Sequence, residues 1–142
     1  MRIINHEYYV SLEVAKLLKE VGFNWEIMSF YTNDISEGCE SEYELRLVRF
    51  DNWNGINKSW CDLVSCPTLE IAQRWLRVVK GIHLYVRPIL DEHKYVVTVV
   101  IDDLTWGQVN DNNGISKRFN TYEEAQEMGI KKAIEIILEK GE

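Results

Sequence analysis

The amino-acid sequence predicts an α+β fold, a largely antiparallel β-sheet with about three helices packed on it. Three observations carry this reading. Apolar residues recur at helical spacing in three stretches that begin or end with capping residues. Short segments rich in β-branched and aromatic residues lie between those stretches. Turn residues divide these segments at hairpin distances. The 142 residues fit a single globular domain, 1–142, with no Pro/Gly/Ser-rich linker, repeat or low-complexity tract to suggest a boundary. A hydrophobic share of 46% with a charged share of 27% is the balance of a chain that buries a core.

The first helix is "SLEVAKLLKEVG". Ser11 caps it, Val14, Leu17, Leu18 and Val21 line its apolar side, and Gly22 takes the left-handed conformation that ends it. Phe23 is placed to fold back on the last turn. Two strands follow, "WEIMSFYT" (Trp25 to Thr32) and "EYELRLVRF". The second alternates Tyr43, Leu45 and Leu47 against Glu44 and Arg46, then slips phase at Val48 and Phe50, which predicts a bulge or the end of pairing near Leu47. "NDISEGCESE" between them is an acidic loop. "DNWNGINKSW" carries an Asn-Gly turn signal and leads to a short strand, Cys61 to Ser65.

The second helix is "PTLEIAQRWLRVVKGI", with Thr68 as its predicted N-cap, Gly81 as its end, and Trp75, Leu76 and Val79 as its anchors. "IHLYVRP" and "KYVVTVVI" read as strands around the turn "LDEHK". The nearly continuous apolar run from Tyr95 to Ile101 predicts an interior strand covered on both faces. A further hairpin is predicted from "LTWGQV", "NDNNG" and "ISKRF". The last helix opens on a T-x-x-E capping box, Thr121 and Glu124. Gly129 in its middle costs ~1 kcal/mol relative to Ala, which predicts a close approach of helix and sheet there.

Charge constrains function. The net charge is −7, yet residues 67–94 hold five cations against three anions, and Arg74, Arg77 and Lys80 step along one side of the second helix. Polyanion binding draws its affinity from counterions released by many such contacts, so this short stripe reads first as a solvated helix face. Nucleic-acid association through Arg74, Arg77 and Lys80 is the alternative.

The remaining chemistry is sparse. Cys39, Cys61 and Cys66 are an odd set, with spacing that matches no zinc motif, and His6, His83 and His93 are scattered, so no metal site is expected. Cys66 just ahead of the second helix is a candidate thiol, with His83 its only conceivable base, against the commoner reading of a small buried apolar residue. Asp102 and Asp103 end a buried strand, but neighbouring strand residues point to opposite faces, so a turn is the simpler role. "NDNNG" lacks the calcium-loop frame. There is no phosphate-binding glycine loop, nucleophile elbow or deaminase signature, and no cofactor is implied. Five tryptophans exceed what one small core needs. Trp53 and Trp60 flank the Asn-Gly loop and Trp106 precedes the last predicted turn; they either seal the ends of a sheet or form a binding patch.

Three blocks, "YVSLEVAKLLKEVGF", "CPTLEIAQRWLRVVKGIHLYV" and "FNTYEEAQEMGIKKAIEIIL", together resemble an uncharacterised family of small proteins encoded by bacteriophages and mobile elements of gut bacteria. The resemblance implies a phage or prophage setting and brings no assigned activity and no functional residues. The leading expectation is a non-enzymatic, cytoplasmic binding or accessory protein that acts through protein–protein contacts, as a homodimer, with no membrane partner. An enzyme of unrecognised class, with a site near Cys66, His83 or Asp103, is the further alternative.

Overall fold

The computed structural model describes residues 6–35, 41–101, 106–110 and 116–140, and for 106–108 the backbone alone. The fold is α+β, in the order α1 (Leu12–Glu20), β1 (Ile27–Asp34), β2 (Glu44–Asp51), β3 (Cys61–Ser65), α2 (Leu69–Lys80), β4 (His83–Ile89), β5 (Lys94–Val100), β6 (Trp106–Gln108) and α3 (Tyr122–Glu139). Among the described residues all strand pairs are antiparallel, and they form two three-stranded sheets rather than one, β2-β1-β3 and β4-β5-β6. By its contacts the chain divides into two compact units, Met1–Thr68 and Leu69–Glu142, with one sheet in each. Each strand pairs with strands near it in sequence, as short connections favour, and α2 separates the two pairing groups.

In the first unit, Ser11 accepts a hydrogen bond from the Val14 N–H and so starts α1, whose Val14, Ala15 and Leu18 are buried. Gly22, at φ +96°, ends it, and Phe23 folds back so that its N–H reaches the Leu18 carbonyl and its ring is buried. β1 begins at Ile27, two residues later than the aromatic run suggests, and lies between β2 and β3. Its register with β2 shifts between Ile27, opposite Asp51, and Ser29, opposite Leu47. That irregularity falls where the alternation of β2 slips phase, as the sequence predicts. A single 3-10 turn, Trp53–Gly55, occupies the Asn-Gly loop. Trp53 stacks on Phe30 at 4.2 Å between ring centroids, and its Nε1–H donates to the Ile27 carbonyl at 2.8 Å. Its aromatic bulk and its polar tip are both used inside the unit.

In the second unit, β4, β5 and β6 form a meander with β5 central. The interior position of β5 agrees with its apolar run, and Val96, Val97 and Val99 are buried. Most of the turn of the final predicted hairpin lies outside the described residues, and on its flanks the Lys117 N–H donates to the Val109 carbonyl at 2.8 Å. Among the described residues "ISKRF" makes only isolated bridges, Ser116 with Asn110 and Phe119 with Tyr95. Phe119 caps the edge beside β5, with backbone hydrogen bonds in both directions to Tyr95.

Helix α3 opens as predicted: Thr121 Oγ1 accepts from the Glu124 N–H at 3.0 Å, and Glu124 Oε2 reaches back to the Asn120 N–H at 3.1 Å. Gly129 faces the sheet, and a Cβ there would lie 2.6 Å from Val97 Cγ2. The glycine therefore permits the close approach its position implies. Gln126 of α3, only 1% exposed, donates to Gln73 at 2.7 Å and to Glu70 at 3.2 Å on α2. Gln73 in turn donates to the Leu84 carbonyl of β4. This partly buried chain of hydrogen bonds joins three elements of the unit. On α2, Leu69, Ala72, Trp75 and Leu76 are buried, but Val79 is 49% exposed and Val78 64%. Val79 is thus not the anchor that its position on the helix suggests.

Candidate functional site

A sheet ends in two edge strands, and each edge presents unpaired backbone N–H and C=O groups unless something covers them. In the first unit the Cys66 N–H donates to the Ser29 carbonyl, so the polar backbone groups of Ser29 face β3. Alternation along the strand then points those of Phe30 and Thr32 toward β2. Their partners there are Arg46 and Glu44, so the backbone groups of Leu45 and Leu47 point away from the sheet. The same rule points Leu63 and Ser65 of β3 outward, and their hydrogen bonds agree. Lys19 Nζ donates to the Leu63 carbonyl at 2.9 Å, and Asn54 Oδ1 accepts from the Ser65 N–H at 2.8 Å.

The β3 edge is therefore partly closed by side chains of its own unit. On β4 the outward groups belong to Leu84, Val86 and Pro88. The Leu84 carbonyl accepts from Gln73 and Pro88 has no N–H, so that edge is blunted at both ends, while the outward groups of Val86 between them have no partner among the described residues. The outward backbone of Leu45 and Leu47 has no hydrogen-bond partner among the described residues. Beside this open segment the side chains of Val48 and Phe50 are 54% and 67% exposed. Arg46 and Glu44 pair with each other across two residues of the strand, 2.8 Å apart and largely in solvent. An open concavity of about 300 Å³ adjoins the same strand, lined among others by Thr32, Glu44, Arg46 and Trp60.

The residues singled out from sequence fall in different places. Trp60 is exposed, with Lys58 Nζ 4.9 Å from its ring centroid, and it borders the concavity. Trp53 is buried, and takes the sealing role of the two considered. Trp106 lies on β6, with its side chain outside the described residues. Arg74, Arg77 and Lys80 are exposed along α2, and the exposed Val78 and Val79 lie among them. A surface that alternates cations with bare aliphatic side chains is poorly suited to tracking a phosphate backbone. It presents three cations in a chain of net charge −7.

Of the catalytic candidates, Cys66 belongs to the first unit and His83 to the second. Cys66 is fully buried, and its thiol donates to the Val10 carbonyl at 3.4 Å, as a small core residue does. His83 is exposed at the start of β4 in the second unit. Asp102 and Asp103 lie outside the described residues, as does most of "NDNNG". Among the described residues no group of three or more His, Cys, Asp or Glu side chains is gathered to hold a metal ion. Within the same residues no helix is long and apolar enough to cross a membrane. No protein-family model, curated protein or solved structure matches this chain.

Sequence reasoning missed the open edge and the Gln126 cluster. The alternation of β2 and its phase slip were visible, but which strand ends a sheet depends on pairing partners, which one strand alone does not specify.

Proposed function

We propose that this is a non-enzymatic binding protein that acts through protein–protein contact, made by adding a strand to the β2 edge. One observation carries the reading: among the described residues the outward backbone groups of Leu45 and Leu47 have no partner and sit beside the exposed Val48 and Phe50, while β3 and β4 are partly closed by Lys19, Asn54, Gln73 and the missing N–H of Pro88. Strand addition uses this arrangement, since backbone hydrogen bonds supply affinity and neighbouring side chains supply selectivity. Val48 and Phe50 are exposed apolar groups of the same strand, and the exposed Trp60 lines the concavity beside it. A cytoplasmic location fits the free thiols of Cys61 and Cys66, which a reducing compartment preserves. A phage or mobile-element setting is supported by the resemblance of the three helical blocks alone.

Photo-crosslinking in native host cells tests the reading. A photoreactive residue replaces Val48 in one variant and Val78 of α2 in a control. Discrete protein adducts are expected from the Val48 position and not from the control. They should disappear when Leu45→Pro is added, because proline deletes an outward N–H and spares the ladder with β1. Equal adducts at both positions, none at either, or crosslinks chiefly to nucleic acid would contradict it.

A further inference from the structure

We infer that the occupant of the β2 edge is a second copy of this chain, paired antiparallel about a two-fold axis at Leu45. The inference rests on the reading of that edge as a contact surface and names its partner.

A two-fold axis perpendicular to the sheet pairs residues of like facing, so one residue of β2 must lie opposite its own copy. Four choices fall within the regular segment. Centring on Glu44 or Arg46 places identical charges face to face in a non-hydrogen-bonded pair, where the side chains lie closest. Centring on Leu47 places Leu45 opposite Arg49, Arg46 opposite Val48 and Glu44 opposite Phe50. It also runs the new ladder into the register shift beyond Leu47. Centring on Leu45 avoids each conflict. The two Leu45 residues exchange backbone hydrogen bonds through groups that are open in the single chain. Glu44 of each copy then faces Arg46 of the other, twice by symmetry, and Leu47 faces Tyr43.

The charged pairs lie on one face of the joined sheet and the apolar pairs on the other, continuing the alternation already present in β2. The product is a six-stranded sheet, β3-β1-β2 joined to its copy. The existing Glu44–Arg46 contact does not oppose this exchange. Its side chains are 66% and 58% exposed, so the pair is weak and free to trade partners. Few residues take part, which sets the contact at the small end of specific interfaces and makes it concentration-dependent.

Sedimentation velocity on the full chain, from ~10 µM to ~1 mM, reads the monomer–dimer equilibrium directly. The wild type is expected to dimerise within that range. Arg46→Glu and Glu44→Arg each set like charges opposite one another and should weaken dimerisation about tenfold or more. Neither change enters a core, since both side chains are exposed, and an unchanged circular dichroism spectrum and Tm verify folding. A 1:1 mixture of the two variants brings two glutamates opposite two arginines and should restore association, as a mixed dimer. The double variant Glu44→Arg/Arg46→Glu should also recover, because the swapped charges again face their opposites. A wild type monomeric throughout, or dimers that the single variants leave unchanged, overturns the inference. So does a folded pair of variants that fails to associate on mixing. A monomeric wild type with Val48 adducts to a different protein removes the self-pairing and leaves the edge as a binding surface. A monomer with no Val48 adducts removes both.

Discussion

Gly129 shows how far one residue's chemistry reaches. A methyl group there would meet Val97 Cγ2 at 2.6 Å and Leu84 Cδ2 at 3.6 Å. Alanine improves intrinsic helix propensity by ~1 kcal/mol, while overpacking a close contact costs about 1–3 kcal/mol. The clash involves a buried β-branched side chain with little freedom to move, so the cost dominates. Gly129→Ala is expected to lower the unfolding free energy by about 1 kcal/mol in urea titration. Adding Val97→Ala should then cost less than the sum of the two single changes, since the methyl group fills space that valine vacates. At this scale much was legible. Ser11, Gly22, Thr121 and Gly129 each announce a backbone requirement through their own chemistry, and each meets it. Val79 was misread because a helical wheel gives direction and not the length over which a neighbour covers the helix. Cys66 and Trp53 each had two readings in the sequence, and their burial with an internal hydrogen bond selects the structural one.

Elements are held in the second unit by a polar contact as well as by apolar packing. Gln126 is 1% exposed and spends both amide hydrogens on α2, on the side chains of Gln73 and Glu70. Gln126→Ala removes two hydrogen bonds, strands the Gln73 carbonyl oxygen and leaves a cavity. Loss of about 1–3 kcal/mol is expected, measured by denaturant unfolding, with the far-UV spectrum retained. If the cluster were dispensable, the change would fall within about 0.5 kcal/mol, the usual range of an exposed substitution. Strand and helix positions were largely readable from period and punctuation, with boundaries moved by a residue or two. The partial closure of the β3 edge was not. Lys19 reaches Leu63 across 44 residues of sequence, and Asn54 meets Ser65 across 11. Such contacts follow from pairing order, and a lysine in a helix carries no mark of the carbonyl it will find.

For the whole molecule, the sequence allowed one sheet and the structure has two, because every strand pairs within its own stretch of chain. Among the described residues, the contrast of β2 with the partly closed edges of β3 and β4 directs attention to β2. The basic stripe on α2 was conspicuous in the sequence, and its three exposed cations are interspersed with the exposed Val78 and Val79. The open edge was inconspicuous there because it consists of backbone groups, which every residue has. Amide hydrogen exchange at single-residue resolution tests the central claim, that the outer backbone of β2 is free in the lone chain and is filled by a protein contact. In dilute protein the amides of Leu45 and Leu47 should exchange far faster than those of Glu44 and Arg46, which are bonded to β1. Raising the protein concentration should slow Leu45 and Leu47 selectively. Protection of Leu45 and Leu47 equal to that of Arg46 at high dilution would contradict the open edge, and no change at any concentration would contradict its filling by a second copy.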